Sequence, residues 1–326
     1  MKILVTGGAG YIGSHIVLEL CDEGYGVIVL DDLSLGNESS VDKRAEFIKG
    51  STLDKKILKK VISEIDAIIH LAAFKSAGES MINPTVYTQN NIEGTLRLID
   101  VMSSYNKKNI IFSSTAAVYG NPQYLPVDEN HKTNPINYYG FTKLMVENTL
   151  NWYKHLNGFN FIALRYFNAA GYDKEKRILN LENKPQNLIP IVMECAAGIR
   201  RSMQIFGDDY NTPDGSCVRD YIHVVDVAKA HISAVKRLLE KDTESFEVFN
   251  LGMGVGVSVL EMIHAFKEAT GIEIAYTIAP RREGDVEAVY ADTTKANTIL
   301  GWKTEKSLKD AMGDAWRWEN ALRGEN

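Results

Sequence analysis

A glycine-rich turn near the N-terminus is the feature that most limits what this chain can fold into. Residues 2–6 are typical of a short buried strand, and the run Gly7-Gly-Ala-Gly-Tyr-Ile-Gly13 follows at once. A helix with Ile12, Ile16 and Leu20 on one face is expected next. Glycines in such a unit let the backbone approach a pyrophosphate, and the helix N-terminus supplies N–H donors to the anion. The turn therefore predicts a nucleotide-binding, parallel α/β fold.

An acidic residue follows the second predicted strand, residues 27–30. A carboxylate at Asp31 can accept hydrogen bonds from the ribose hydroxyls of adenosine. The same charge repels a ribose 2′-phosphate, and no arginine follows closely. The glycines and this acid together predict an NAD site rather than an NADP site.

Short apolar strands continue to alternate with amphipathic helices. Further strands are predicted at 46–49, 67–71, 109–113 and 159–165, and helices at 54–64, 90–105 and 140–156. This alternation predicts an α/β fold of the Rossmann type, with a doubly wound parallel sheet. Functional loops of such a sheet lie beyond the carboxyl ends of its strands.

The pattern becomes less regular after residue 170. Residues 172–187 are polar and predict a long surface loop. Beyond it, helices are predicted at 188–200, 225–240 and 306–321, and strands at 203–206, 246–250 and 272–278. We therefore expect a nucleotide-binding domain over residues 1–170, to which segments near 220–255 return. A smaller α/β domain is expected mainly over residues 171–326.

Tyr139 and Lys143 stand four residues apart at the start of a predicted helix, so their side chains share one face. A nearby ammonium favours the phenolate, and the pair could transfer a proton near neutral pH. A lone Tyr-x-x-x-Lys is more often an aromatic residue beside a solvated lysine. Here Ser113, Ser114 and Thr115 follow a predicted strand at the same sheet edge as the glycine turn, which favours a site.

Composition excludes several classes of partner. The net charge of −6 has the wrong sign for a surface that binds nucleic acid or an anionic membrane. There is no apolar run of membrane-spanning length and no signal segment before the first strand. The three cysteines lack paired spacing, which favours reduced thiols and a cytoplasmic setting. The seven histidines show no metal-ligand spacing, so no metal is expected.

Several longer motifs carry a family resemblance. Thr6-Gly-Gly-Ala-Gly-Tyr-Ile-Gly-Ser14, Ser113-Ser-Thr-Ala-Ala-Val-Tyr-Gly120, Tyr139-x-x-x-Lys143 and Arg165-Tyr-Phe-Asn168 resemble the extended short-chain dehydrogenase/reductase family. Lys75-x-x-Gly78-Glu-Ser80, Ile205-Phe-Gly-Asp-Asp-Tyr210, Asp214-Gly-x-x-x-Arg219-Asp-Tyr-Ile-His223 and Ala279-Pro-Arg-Arg282-Glu-Gly-Asp285 resemble its UDP-glucose 4-epimerase branch. The matches run in order through nearly the whole chain.

The resemblance implies an NAD-dependent isomerase that interconverts UDP-glucose and UDP-galactose through a transient 4-keto sugar. Tyr139 would act as base on the sugar 4-hydroxyl while the C4 hydride passes to tightly held NAD. Lys143 would hold the nicotinamide ribose and lower the pKa of the tyrosine, and Thr115 would bond the 4-oxygen. A homodimer through the helices near 90–105 and 140–156 is also implied.

The resemblance also assigns binding residues, position by position. The cofactor contacts are Gly7, Gly10, Tyr11, Ile12, Gly13, Asp31, Lys75, Asn90, Tyr139, Lys143 and Phe167. The UDP-hexose contacts are Thr115, Asn168, Asn187, Leu188, Phe206, Arg219, Tyr221, Arg282, Asp285 and Val289, most of them in the smaller domain.

Three positions depart from the family pattern. Gly50-Ser51-Thr52 stands where an acid near the adenine is common, and Tyr138 replaces the usual proline before the catalytic tyrosine. Val289 stands where strict glucose/galactose enzymes carry a tyrosine. The smaller valine leaves room at the sugar C2 substituent, which leads to the hypothesis that N-acetylhexosamine nucleotides are also accepted.

Other functions on the same fold are alternatives. A 4,6-dehydratase needs an acid and a base beside the threonine, and this chain has Thr115-Ala-Ala. An epimerase or decarboxylase acting on UDP-glucuronate remains open, since Arg281 and Arg282 are compatible with its substrate. A non-catalytic sensor of NAD(H) or a nucleotide sugar also remains open, although it has little need for Thr115, Tyr139 and Lys143 together.

Overall fold

A computed structural model describes residues 1–178, 187–240, 246–282 and 284–324. The strands are β1 (Lys2–Thr6), β2 (Gly26–Asp31), β3 (Glu46–Lys49), β4 (Ala67–His70), β5 (Asn109–Thr115), β6 (Asn160–Tyr166), β7 (Asn168–Ala170), β8 (Met203–Phe206), β9 (Val218–Arg219), β10 (Tyr221–His223), β11 (Phe246–Leu251), β12 (Val257–Ser258), β13 (Tyr276–Ala279) and β14 (Ala288–Val289). Seven of them form one sheet in the order β11-β6-β5-β4-β1-β2-β3.

Helices connect these strands. They are α1 (Tyr11–Asp22), α2 (Lys55–Ile62), α3 (Ala77–Ile82), α4 (Pro84–Tyr87), α5 (Gly94–Ser104), α6 (Tyr138–Asn157), α7 (Leu188–Ala196), α8 (Val224–Leu238), α9 (Val259–Thr270), α10 (Thr294–Ile299) and α11 (Leu308–Arg323). A π-helical segment, Thr88–Glu93, leads into α5. None of the helices in the described ranges is long and apolar enough to cross a membrane.

All pairings in the seven-stranded sheet are parallel, and helices cover both of its faces. On β1, Ile3 and Val5 pack with α1 and α8 on one face. Leu4, between them, packs with α2, α5 and α6 on the other. This alternation is the expected result of a strand buried on both sides. The predicted doubly wound α/β fold is confirmed.

A third core lies outside the large sheet. It includes Ile189 and Val192 from α7, Ile205 from β8, and Phe266 and Met312 from α9 and α11. Two short sheets border this core, the parallel pair β8–β13 and the three-stranded order β12-β9-β14. Segments from 224–251 return to the large sheet, because α8 packs against its core and β11 pairs with β6.

The structure corrects three sequence predictions of secondary structure. The strand predicted at 272–278 is Tyr276–Ala279, and the helix predicted at 188–200 ends at Ala196. Helix α9 was not predicted, although Ser258 and Glu261 form a capping box at its start. Residues 179–186 of the predicted surface loop lie outside the described residues.

Candidate active site

The glycine turn joins β1 to α1 at the carboxyl edge of the sheet. Gly7 has φ +74°, and a Cβ there would lie 2.7 Å from the backbone nitrogen of Ala72. A Cβ at Gly13 would lie 2.2 Å from the carbonyl oxygen of Gly7. No side chain caps α1 at its N-cap residue, Gly10. The turn is therefore closed to larger residues at two points, and the helix end is suited to an anion.

Asp31 is held in a fixed orientation at the end of β2. Its Oδ2 accepts from the Ala9 backbone N–H at 3.0 Å, and its Oδ1 accepts from that of Leu33 at 2.9 Å. Burial raises the pKa of this carboxyl group, while the two backbone hydrogen bonds oppose that rise. The carboxylate lines the same cavity as the glycine turn.

That cavity, of about 370 Å³, brings together ten of the eleven residues predicted to contact NAD. They are Gly7, Gly10, Tyr11, Ile12, Gly13, Asp31, Lys75, Asn90, Tyr139 and Lys143. Phe167 is not among the lining residues; it is buried in a small cluster with Val118, Tyr119, Val127 and Ala291. The residues present fit NAD, since a glycine cradle, a helix N-terminus and an oriented carboxylate meet in one cavity. No arginine is among the described lining residues, which disfavours a 2′-phosphate.

Tyr139, Lys143 and Thr115 lie close together, and the first two line this cavity. Asn137 caps α6 by accepting from the Gly140 N–H at 2.8 Å, which fixes the helix start. Lys143 Nζ donates to the carbonyl oxygen of Ser113 at 2.8 Å and lies 6.0 Å from the centroid of the Tyr139 ring. Tyr139 and Thr115 are hydrogen-bonded through their side chains.

Burial controls the ionisation of both groups. It raises the pKa of Tyr139 to about 12, partly offset by the Thr115 hydrogen bond. It lowers the pKa of Lys143 to about 7, against the opposing charge of Glu147. Burial is the larger of these two influences on Tyr139, and a lowering of its pKa by Lys143 stays a prediction.

The residues predicted to hold UDP lie on the smaller sheets and loops. Arg282 Nη2 donates to Asp285 Oδ1 at 2.8 Å, and its guanidinium lies 5.2 Å from the centroid of the Phe206 ring. Arg219 Nη2 lies 3.8 Å from the same Asp285 oxygen. Val289 pairs with Arg219 in the register of β14 and β9. Two arginines, a carboxylate and an aromatic ring are thus brought together.

Other predicted substrate residues lie at neighbouring points. Asn168 pairs with Tyr221 in the register of β7 and β10, and its side chain donates to the carbonyl oxygen of Asp220 at 3.1 Å. Asn187 is the N-cap residue of α7 and makes no side-chain cap hydrogen bond, and Leu188 begins that helix.

Comparison with known proteins gives the family. The family model described as "NAD dependent epimerase/dehydratase family" matches residues 3–252. The chain belongs to this family. It is 43% identical over 324 residues to a UDP-glucose 4-epimerase of Lactobacillus helveticus, covering 98% of each chain. It is 46% identical to that of Halalkalibacterium halodurans, covering 98% of this chain and 95% of the relative.

Solved epimerase structures share the whole architecture. The UDP-glucose 4-epimerase of Stenotrophomonas maltophila, with bound NAD and formylated UDP-arabinopyranose, superposes with a TM-score of 0.96 at 40% identity, covering 100% of both chains. That of Bifidobacterium longum, in complex with NAD⁺ and UDP, gives a TM-score of 0.94 at 40% identity and the same coverage.

The departures from the epimerase pattern have clear places in the site. Gly50, Ser51 and Thr52 line the cofactor cavity, where the usual acid is absent. Tyr138 is the first residue of α6, and its hydroxyl is hydrogen-bonded to Thr88 Oγ1 at 2.7 Å. The phenol of Tyr138 therefore fastens α6 to the π-helical segment.

One functional position of this epimerase-family chain was missed by the sequence analysis. Asp220, between Arg219 and Tyr221, is fully buried and accepts from the backbone N–H groups of Met253, Gly254 and Ala291 at 2.7, 3.1 and 3.1 Å. It joins the loop after β11 to the segment after β14. Its place inside the Arg-Asp-Tyr-Ile-His run was the only sequence signal for this position. The three residues that donate hydrogen bonds to it are remote in sequence.

No metal site accompanies these groups in the described ranges, where no three His, Cys, Asp or Glu side chains are placed to hold an ion. His223 is a helix cap, since its Nδ1 accepts from the Val225 N–H at 3.1 Å. This agrees with its interpretation as a structural residue.

Proposed function

We propose that the chain is an NAD-dependent 4-epimerase that interconverts UDP-glucose and UDP-galactose through a 4-keto sugar. One observation carries the proposal: Tyr139 and Lys143 line the cavity that also holds the glycine turn and Asp31, and Thr115 is hydrogen-bonded to Tyr139. The relatives with bound NAD and UDP support the same cofactor and nucleotide for this chain.

Bound NAD would supply the hydride acceptor and donor for the sugar C4. Tyr139 takes the proton of the 4-hydroxyl and gives it back, and Thr115 keeps the reacting oxygen in hydrogen-bonding range. Because burial disfavours a phenolate, the charge of Tyr139 needs compensation in the transition state. Lys143, 6.0 Å from the ring centroid, is the cation placed to supply it. Lys143 also holds the nicotinamide ribose.

Arg219 and Arg282 bind the diphosphate, since a guanidinium fork donates parallel hydrogen bonds to phosphate oxygens. Asp285 lies near both guanidinium groups and its charge holds the two arginines in place. Asn168, Asn187, Leu188, Phe206 and Tyr221 complete the nucleotide contacts. The hexose itself has few fixed partners, so that it can turn between the two hydride transfers.

The test is incubation of the purified protein with UDP-galactose and no added NAD, with chromatography of UDP-glucose. Conversion to a stable equilibrium mixture supports an epimerase with a resident, recycled cofactor. No conversion, even with NAD added, overturns the proposal. Turnover of UDP-glucuronate would then identify the decarboxylase or epimerase alternative, and no turnover would favour a sensor.

N-acetylated UDP-hexoses are a second substrate class in this proposal. Val289 is half-buried and packs against the cluster that contains Phe167, and a tyrosine there would fill space that the valine leaves. We expect turnover of UDP-N-acetylgalactosamine by the native chain and its loss in Val289→Tyr, with UDP-galactose turnover kept. The absence of such turnover in the native chain would refute this part.

A homodimer through α5 and α6 is also part of the proposal. Four apolar side chains of α6 are exposed, with Trp152 at 68% and Leu156 at 71%. Phe141 and Met145 precede them, and Leu96 of α5 is exposed as well. A second copy of the chain is the partner that would cover two such helices. Light scattering after gel filtration should give twice the mass of 36.4 kDa. Trp152→Glu should give a monomer.

The setting and the domain division complete the proposal. Cys21, Cys195 and Cys217 are free thiols, which suits a cytoplasmic protein. Residues 1–170, with segments near 220–255, bind NAD, and residues 171–326 mainly bind the nucleotide sugar. Fractionation of cells that express the chain would test its cytoplasmic location.

A further inference from the structure

Residues 171–178, called the strap here, cross the outer side of the cofactor cavity. Tyr172 and Ile178 line that cavity together with Gly10 and Tyr11 of the glycine turn. The strap therefore borders the same cavity as the turn that receives the dinucleotide. Nothing in the strap's sequence predicts this position, and its contacts to two distant helices explain it.

Helix α1 holds the strap at its beginning. The Tyr11 hydroxyl donates to the Gly171 carbonyl oxygen at 2.6 Å. His15 Nε2 accepts from the Asp173 backbone N–H at 3.0 Å, while its Nδ1 donates to the carbonyl oxygen of Tyr11 at 2.8 Å. The bond to Nε2 needs a neutral imidazole, and burial lowers the pKa of His15 to about 4.

Ion pairs continue this attachment along the strap. Arg177 forms a bidentate pair with Asp173 and reaches Asp22, the last residue of α1, at 2.9 Å. The strap is thus fastened to both ends of α1.

A single buried side chain of α11, Trp318, holds both ends of the strap from the other side. Its ring stacks on Tyr172 with centroids 3.5 Å apart and an interplanar angle of 7°. Its indole N–H donates to the carbonyl oxygen of Ile178 at 2.7 Å. Trp318 is only 2% exposed, so its position is fixed by the core around it.

The stack continues inward to the cofactor turn. The Tyr11 ring lies 4.9 Å from that of Tyr172, so Tyr11, Tyr172 and Trp318 form a row of aromatic rings from the cavity to the core. We propose that Trp318 is a positioning residue for the cofactor: through Tyr172 and Ile178 it keeps the strap closed over the dinucleotide turn and so slows the release of NAD. This inference rests on the proposed function, which assigns the cavity to NAD.

NAD can leave past the strap only after the contacts between the strap and α11 are broken. Aromatic stacking and a buried hydrogen bond are both lost in that step. A weaker attachment raises the population of the open strap and hence the release rate. Trp318 contacts Tyr172 and Ile178 and is not among the described residues that line the cavity, so it acts through the strap and is not a catalytic residue.

The experiment compares two buried tryptophans. In Trp302, 4% exposed, the indole N–H also donates to a backbone carbonyl, that of Asp226 at 2.9 Å. Trp302 packs in the core beside α8 and has no contact described with the strap. Trp318→Leu and Trp302→Leu therefore remove the same ring and the same kind of hydrogen bond, but only the first releases the strap.

The measurement is the rate at which purified holoprotein loses NAD after dilution into excess isotopically labelled NAD. We expect release about tenfold faster in Trp318→Leu than in the native chain. Trp318→Phe, which keeps a ring to stack on Tyr172, should be intermediate, and Trp302→Leu should match the native rate. Equal release rates for the two leucine variants would overturn the proposal.

A second variant covers the case in which Trp318→Leu fails to fold. Tyr172→Ala removes the stack at a half-buried position on the edge of the third core and leaves the fully buried Trp318 in place. It should also release NAD faster, and a native rate in this variant would refute the role of the stack. If the native chain binds no NAD at all, the proposed function fails. If it holds NAD and the variants do not differ from it, only the strap inference fails.

Discussion

The cofactor half of the site is built from backbone and buried side chains, whereas the half assigned to UDP is built from arginines that reach solvent. Asp31 and Lys143 are 8% and 4% exposed. The side chain of Arg282 is 60% exposed. Buried, hydrogen-bonded groups cannot rearrange cheaply, while exposed cations can follow a moving ligand. The difference suits one ligand that stays bound and another that binds and leaves in every catalytic cycle.

The largest expected effect is on kcat, because the chemical step takes place where the cofactor half and the UDP half meet. Tyr139→Phe should lower kcat about 1,000-fold, because proton transfer by a placed side chain contributes on that order. The bound NAD should remain, since the phenol is not part of the glycine turn. Steady-state kinetics with UDP-galactose and the NAD content of the variant measure the two effects.

The neighbouring tyrosine is the matched control. Tyr138→Phe removes a hydroxyl one residue away that is bonded to Thr88 and not to Thr115. Its kcat should stay within about threefold of the native value, since such a hydrogen bond contributes little to a transition state. Comparable losses in the two variants would mean that Tyr139 acts by fixing the helix start and not by proton transfer.

The second prediction concerns a substitution that disrupts the cofactor half alone. Gly13→Ala would place a Cβ 2.2 Å from the Gly7 carbonyl oxygen, so the turn must shift. NAD affinity should fall about 100-fold through this overpacking. Gly26→Ala, where a Cβ would meet nothing nearer than 3.5 Å, is the control. Calorimetric titration of cofactor-free protein with NAD would show the difference, and equal affinities would contradict the account.

The third prediction concerns a substitution that weakens binding in the UDP half alone. Arg219→Met should raise the KM for UDP-galactose about tenfold, the usual effect of losing one hydrogen bond to a charged group. The amount of bound NAD should not change. Arg281→Met is the control, since Arg281 pairs with Asp209 and lies over the Tyr210 ring. A loss of NAD from Arg219→Met would show that the halves are not independent.

The smallest expected effect concerns stability in acid. Burial lowers the pKa of His15, His70 and His231 to about 4, 3 and 4, and all three lie in the cofactor half. The unfolded chain takes up protons near pH 6.5 and the folded chain does not. Stability present above pH 6.5 is therefore lost as the pH falls toward 4. Burial raises the pKa of Asp220 to about 6, which opposes this loss in the other half.

Thermal unfolding at pH 7 and pH 5 measures this loss, and Tm should fall by at least about 5 °C. His70, between the hydroxyls of Thr6 and Thr95, offers the sharper test. His70→Gln removes one titrating group and keeps polar atoms near both threonines. The Tm of this variant should change less between the two pH values than the Tm of the native chain. An equal change in Tm would contradict the role of His70 in the loss of stability.

The sequence predicted local features of the fold well, because the features that decide them are local. The strands of the large sheet carry continuous apolar runs, and the glycine turn follows its strand directly. Helix α9 was missed although Ser258 and Glu261 mark its start, since the short strand β12 before it gave no boundary. The end of α7 at Ala196 also had a local signal that was overlooked, because Gly198 follows it with φ +71°.

Features that join remote segments could not be predicted. Asp220 bonds to three backbone N–H groups at positions 253, 254 and 291, and Trp318 meets Tyr172 from the far end of the chain. Their chemistry depends on which segments meet in space. The pKa of Tyr139 is a similar case, because it is raised by a burial that depends on how remote segments pack around the ring.

The most direct test of the central claim is an isotope crossover experiment without added NAD. UDP-galactose deuterated at C4 is mixed with UDP-galactose carrying a fully ¹³C-labelled hexose, and the UDP-glucose formed is examined by mass spectrometry. If the cofactor stays in place and returns the hydride to the same sugar, deuterium will be found only in molecules without ¹³C. Deuterium in the ¹³C-labelled product, or its loss to solvent, would contradict the account.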